Sequence, residues 1–383
     1  MPHGFGGCQR AGAQLSRTAF RPQGLTDAKD GSLLKKTEAR ADDGLSYPWV
    51  EAPSGENFIE VAPGILWFRI PLPFRLDHVN IYLIDDGDGW AVLDTGISNQ
   101  ATRDAWERIV ATALKGRRLT RLIVTHFHPD HIGLAGWMCE RFGMPLLTSQ
   151  TCYLGCINIS LSPNAMGEKP YQDFYRSHGM SEETAQLVAT QGNGYLRMVS
   201  PLPHTFRRLV AGDVLEIGGR SFEVLSGDGH AAEQLMLFLA EENVFLASDQ
   251  VLAKISPNVS VWAVDPEGDP LGLYIRSLRA IEKAIPGNAL VLPGHQLPFY
   301  GVHERAQQLA AHHEERCERI AAACRQGAKS VAELVPALFP RPLDPHQLSF
   351  AFSETHAHVN YMVGRRELAW DRSDAEKLRV GLA

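Results

Sequence analysis

The chain has 383 residues, of which 44% are hydrophobic and 21% charged, with a formal net charge of −7. That usage excludes wholesale disorder, and with 44 acidic against 37 basic side chains nothing in the composition draws a polyanion. No run of 18 apolar residues occurs, so no membrane span is expected.

Residues 1–46 are rich in Gly, Ser, Lys and Asp and carry no sustained period, so a poorly structured N-terminal tail is expected there. Arg10, Arg17 and Arg21 precede the first acid, Asp27, which leaves an organelle-targeting segment as the alternative for residues 1–26. Six cysteines are spread thinly, none forms a CxxC pair, and no secretory leader is evident. A reduced, cytoplasmic protein is the simpler expectation.

From residue 47 the chain reads as ordered. Between Phe58 and Asp94 the runs FIEVAPG, ILWFRIPLP, HVNIYLIDDGDG and WAVLDTG carry strand composition with turn residues between them. Residues 98–115 have helical spacing with Ser98 or Asn99 as cap. RLIVT (121–125) predicts a buried strand, residues 131–142 a helix, and 145–148 another strand. Strand–helix–strand alternation implies helices layered on a sheet, an α/β fold.

Residues 150–205 interrupt that alternation with four prolines and one predicted helix, 181–199. The stretch reads as a lid-like insertion exposing Tyr153, Tyr171, Phe174, Tyr175 and Tyr195. Strand signals return with VLEIGG, SFEVLSG, LMLFLA and VFLAS, followed by helical patterns at 265–284 and 302–325. A helix at 331–339, a Pro-rich break and a helix at 346–364 complete a small C-terminal helical domain, 301–383, after a larger domain spanning 47–300.

The strongest chemical signal is THFHPDHIG at 125–133, between a strand and a helix. Loops at strand C-termini are where α/β folds place their chemistry. His126 and His128, two apart on an extended segment, can converge on one cation. Asp130 and His131, at the helix start, can reach a second. Imidazole and carboxylate ligands suit zinc, manganese or iron, not calcium. A structural zinc site normally includes Cys, and this loop has none. His230 closes SFEVLSGDGH, Asp249 closes VFLASD and His295 closes ALVLPGH, each at the end of a strand-like run.

In this order LDTG, THFHPDH, GDGH, ASD and PGH resemble the metallo-β-lactamase superfamily, in particular its branch with a complete dinuclear site, such as glyoxalase II and related hydrolases. The resemblance implies a four-layer αβ/βα sandwich over about residues 55–300. It implies that His126, His128 and His230 hold one divalent ion, that Asp130, His131 and His295 hold a second, and that Asp249 bridges both. Zinc is the first expectation, with manganese or iron as alternatives. Asp94 of LDTG resembles the family's carboxylate that orients a metal-bound imidazole. FRLDHVNIYLI (74–84) and SETHAHVNYMVGRREL (353–368) are similar to relatives that append a winged-helix-like C-terminal domain. His356 and His358, two apart on a predicted helix, cannot share one metal and read as helix-surface or interdomain residues.

The implied reaction is hydrolysis by a hydroxide shared between two metal ions, with Asp130 orienting it or moving its proton. No G-x-S-x-G elbow offers a serine nucleophile, and Cys152 and Cys156 read as packing residues. Asn80, Tyr153, Tyr171, Tyr175 and Asn258 are expected to wall the substrate pocket. An apolar wall favours a small acyl thioester, ester or lactone. The alternative is a single-stranded RNA or DNA nuclease or phosphodiesterase on the same site, and a redox or binding module is a third reading. Residues 301–383 weigh against nucleic acid, because they carry 11 basic and 11 acidic side chains. A homodimer is the default assembly.

Overall fold

The computed structural model describes residues 40–42, 44–161, 169–190, 194–374 and 377–383. Most of the expected tail, and so the alternatives for residues 1–26, lie outside the described residues. Its end does not fit the expectation: β1 (Arg40–Asp42) and β2 (Leu45–Tyr47) pair as an antiparallel ladder, and Leu45 and Tyr47 are buried. Ser46 also bridges to Tyr300, so the ordered chain begins before residue 47.

Two sheets carry the fold. The first contains β3 (Ile59–Ala62), β4 (Ile65–Pro71), β5 (His78–Asp85), β6 (Gly89–Leu93), β7 (Arg118–Ile123), β8 (Leu146–Thr148) and β9 (Arg207–Arg208), in that spatial order. Its first four strands are antiparallel and its last three run parallel to β6. The second contains β10 (Val214–Ile217), β11 (Arg220–Gly227), β12 (Gln234–Leu239), β13 (Val244–Ser248) and β14 (Leu290–Pro293), antiparallel except for the last pair.

Both faces of each sheet are covered, which is why the strands read as near-continuous apolar runs. Side-chain alternation sorts them. On β4, Ile65 and Trp67 pack between the sheets, where Phe222, Val224, Leu235, Leu237 and Leu246 of the second sheet meet them. Leu66, Phe68 and Ile70 point outward onto α1 (Gln100–Thr112) and α3 (Ala135–Phe142), meeting Trp106, Ile109 and Met138. α1 starts at the expected place, with the Asn99 side chain accepting from the Thr102 N–H. The helix expected at 131–142 is divided: α2 (Pro129–Ile132) is one turn, and α3 begins after Gly133 and Leu134. On the far side, Met236, Phe238 and Phe245 pack against α8 (Pro270–Ala284), α9 (Val302–Cys324) and α11 (Pro345–Gly364). The order is helix, sheet, sheet, helix: the four-layer α/β sandwich the sequence implied.

The 150–205 insertion is more helical than its prolines suggest. It holds α4 (Gln150–Leu161), α5 (Lys169–Ser177), α6 (Glu182–Thr190) and α7 (Gly194–Met198), so the single helix expected at 181–199 is two. Phe174 and Tyr175 are not exposed as expected. They are buried in the core beside Phe352 of α11. The C-terminal region adds α10 (Val331–Leu338), opened by a Ser330–Glu333 capping box, and the hairpin β15 (Leu368–Asp371) with β16 (Arg379–Leu382). Its core joins Cys317, Ile320, Leu334, Val359 and Val380. Among the described residues, no helix is long and apolar enough to cross a membrane.

Candidate metal centre

Five strand ends meet at one edge of the sandwich. β6 ends at Leu93 and delivers Asp94. β7 is followed by Thr125 and His126. His128 precedes Pro129, which starts α2, so Asp130 and His131 sit in its only turn. β11 runs out through Gly227 to His230, β13 ends immediately before Asp249, and β14 ends two residues before His295. The backbone is tight where the two sheets approach. A side-chain carbon on Gly294 would stand 2.1 Å from Asp249 Oδ1, so only glycine lets this turn pass the carboxylate.

The ligand-type atoms form three overlapping groups, each within 4.8 Å: His126 with His128 and His230; His126 with His131 and Asp249; Asp130 with His131 and His295. His126 and His131 are fully buried, and Asp249 and His295 nearly so.

Hydrogen bonds on the outer ring nitrogens decide what these imidazoles offer inward. His230 Nδ1 donates to the Asn258 carbonyl at 2.8 Å. His295 Nδ1 donates to the His78 carbonyl at 2.7 Å, and His131 Nδ1 to the Asp94 carboxylate at 2.8 Å. A neutral imidazole protonated at Nδ1 presents a lone pair at Nε2. His230 Nε2 lies 3.0 Å from His128 Nδ1, which is itself 3.0 Å from His126 Nε2. His131 Nε2 lies 3.4 Å from Asp249 Oδ2 and 3.6 Å from Asp130 Oδ2. His295 Nε2 faces the same two oxygens at 3.2 and 3.3 Å. Where these imidazoles are neutral, lone pairs and carboxylates therefore point at one another. His131 Nε2 and Asp249 Oδ1 are buried without a hydrogen-bond partner. Cations among these atoms would relieve both the repulsion and the missing bonds, and the donor set suits zinc, manganese or iron.

Proton affinities show the same crowding. Burial pushes His126 well down and His128 to about 3. Burial also opposes a proton on His131 and His295, yet the Asp249 and Asp130 carboxylates outweigh it, raising His131 strongly and His295 to about 10. Burial alone would raise the carboxyls, but the facing imidazoles hold Asp130 and Asp249 well below the usual carboxylate range.

Residues 74–295 match the metallo-beta-lactamase superfamily, and residues 317–381 match the family described as metallo-beta-lactamase-like, C-terminal domain. The chain belongs to the metallo-beta-lactamase superfamily. The crystal structure of a beta-lactamase domain protein from Burkholderia ambifaria is 37% identical, with a TM-score of 0.81, covering 91% of this chain and 100% of that one. A Bacillus subtilis protein named "Probable metallo-hydrolase YqjP" is 24% identical over 303 residues, 78% of this chain and 92% of that protein. The atrochrysone carboxyl ACP thioesterase AacuM of Aspergillus aculeatus is 22% identical over 227 residues, 57% of this chain and 53% of that protein.

In this metallo-beta-lactamase superfamily chain, the structure brings together the seven expected ligand-type side chains and places Asp94 directly behind His131. The expected pocket residues fare differently. Asn80 is buried, and its amide donates to the Pro293 and Gln296 carbonyls, so it braces the turn that carries His295 instead of lining a pocket. Tyr175 is a core residue for the reason given above. Tyr153 stacks on Phe206 and its hydroxyl donates to the Pro203 carbonyl. Tyr171 is half-buried on α5. Asn258 does border the cluster, but through its backbone carbonyl, its side chain donating to Ser260. His78, which the sequence reading passed over, accepts the Gln296 N–H on its ring and the His295 Nδ1–H on its carbonyl. Its signal was the HVN phrase beside Asn80.

Of the two alternatives for His356 and His358, helix-surface or interdomain, the first does not hold: both are fully buried. His356 is interdomain, packed on Phe174 and His178 of the insertion, while His358 Nε2 pairs with His313 Nδ1 of α9 at 3.1 Å.

Proposed function

We propose that the protein is a metal-dependent hydrolase of a small acyl thioester, ester or lactone, working with two divalent ions, zinc first among the candidates. His126, His128 and His230 would hold one ion, Asp130, His131 and His295 the other, and Asp249 would contact both. Such ions supply Lewis acidity and bring the ionisation of water into the neutral range. One observation carries the reading: inward lone pairs, fixed by outward hydrogen bonds from His131, His230 and His295, converge with two carboxylates in a buried space.

The chain's own residues supply the rest. Asp130 stays ionised among imidazoles and can orient an attacking water by accepting its hydrogen bond at the carboxylate. His131, braced by Asp94, cannot turn its ring. Cys152 has no part in attack, because burial pushes its thiol far above neutrality. Two observations support an acyl substrate: the thioesterase among the relatives and the balanced charge of residues 301–383, 11 basic against 11 acidic.

A panel of acyl-CoA, acyl-glutathione, lactone, aryl ester and labelled single-stranded RNA tests this reading. Cleavage of at least one acyl compound, abolished by a chelator and restored by zinc or manganese, is the expected result. Cleavage of RNA alone would replace it with the nuclease reading.

A further inference from the structure

Behind the cluster, one buried hydroxyl joins the two sheets. Thr125 follows β7 in the first sheet and Ser248 ends β13 in the second, and both are buried. Ser248 Oγ lies 2.9 Å from Thr125 Oγ1. Thr125 Oγ1 lies 2.9 Å from Asp94 Oδ2 and 3.0 Å from His126 Nδ1. The Thr125 N–H donates to the other Asp94 oxygen at 2.8 Å.

Counting protons gives this chain one direction. A hydroxyl has one proton and two lone pairs, and an ionised carboxylate only accepts. The Thr125 proton goes to Asp94 Oδ2, since a charge-assisted bond is the stronger choice. The Ser248 proton goes to Thr125. The remaining lone pair on Thr125 then accepts from His126, so His126 carries its proton on Nδ1. The reverse orientation would leave Asp94 Oδ2 with the His131 Nδ1–H alone, and would point an N–H on His126 Nε2, in place of a lone pair, at His128 Nδ1, 3.0 Å away.

We propose that Thr125, supported by Ser248, is a positioning residue that fixes His126 in its Nδ1–H tautomer and ties it, through Asp94, to His131. One hydroxyl thus sets the inward lone pairs of an imidazole in each expected metal group. His126 lacks the carbonyl or carboxylate partner that His230, His295 and His131 have, and Thr125 takes that place. Ser248 holds a left-handed backbone, φ +49°, uncommon for a residue with a side chain, immediately before Asp249. That conformation delivers the hydroxyl to Thr125 while Asp249 turns into the cluster.

The inference rests on the metal reading of the site, and its test separates the two. In the full-length chain stripped of metal, nitrogen-15 imidazole spectra report the His126 tautomer whether or not any metal binds. Competition with a chromogenic chelator then reports zinc affinity. The expected result is Nδ1–H in the native chain and in Thr125→Ser. Thr125→Val should populate Nε2–H and weaken zinc about 10- to 100-fold, the usual range for losing a partner behind a ligand. Thr125→Ser should recover affinity to within about threefold of the native chain, since it keeps the donor and acceptor. Ser248→Ala covers the case in which Thr125→Val does not fold, and should shift the same two readouts in the same direction by a smaller amount. Thr125→Val and Ser248→Ala that both keep Nδ1–H and native zinc affinity would overturn the proposal. A native chain that binds no divalent ion would overturn the metal reading, and the tautomer of His126 would still judge the hydroxyl chain.

Discussion

His131 donates its Nδ1 proton to Asp94 across 2.8 Å, and that bond turns its other nitrogen, unpartnered, toward Asp249. Asp94 has a left-handed backbone, φ +64°, at the end of β6, where its carboxylate also takes the Thr125 N–H and O–H. One carboxylate thus orients the loop that carries four of the seven ligand-type residues. Asp94→Asn keeps the shape but loses the charge, and its amide cannot accept all these donors. Hydrolysis and metal retention should fall about 10- to 100-fold with an unchanged circular-dichroism spectrum. Native metal affinity in this variant would remove Asp94 from the account.

Gly294 offers a purely steric test. A methyl group there would collide with Asp249 Oδ1 and crowd His131, and the Gly294 N–H already donates to the Ser248 carbonyl at 2.8 Å. Gly294→Ala should displace Asp249, and a misplacement of about 1 Å at such a site costs on the order of 100-fold in rate. Steady-state rates set beside thermal unfolding give the answer: a large loss of turnover with a small change in Tm is expected, and undiminished turnover would mean Asp249 is not held where the structure has it.

The parts of this molecule that were readable from sequence are those where one chain segment decides the outcome. His126, His128, Asp130 and His131 lie in one loop, and His230, Asp249 and His295 each end a strand with apolar periodicity. Strand–helix–strand alternation gave helices layered on a sheet, and the resemblance of the ligand motifs supplied the four layers. The failures share a different cause. α11 is covered by α6, α8, α9, α10 and β15, so its middle has no polar face, and the helix-surface alternative for His356 and His358 fails while the interdomain one describes His356. Phe174 and Tyr175 looked exposed because their partner, Phe352, is far along the chain. Asn80 was expected to wall the pocket, whereas its amide is used in holding Pro293 and Gln296.

Those buried histidines predict an acid sensitivity. Burial lowers His313 to about 2, His358 to about 3 and His356 well below its ordinary value. Well above pH 6.5 each is neutral both folded and unfolded, so stability there does not depend on them. Below it the unfolded chain binds protons that the folded chain refuses, so stability falls with falling pH, by up to about 1.4 kcal/mol per pH unit per histidine, until the folded values are reached. His356→Phe removes one of these sites, along with two buried ring nitrogens that lack partners. The slope of unfolding free energy between pH 6.5 and 5 should be shallower in this variant than in the native chain. An equal slope would show that His356 does not titrate on unfolding.

The most direct test of the central claim is the metal content of native protein and His128→Ala, both dialysed without chelator, read by elemental analysis beside the rate of acyl hydrolysis. The account predicts about two divalent ions per native chain and about one in the variant, with most hydrolysis lost and the fold retained. A native chain without stoichiometric metal, or a His128→Ala enzyme that turns over at the native rate, would contradict it.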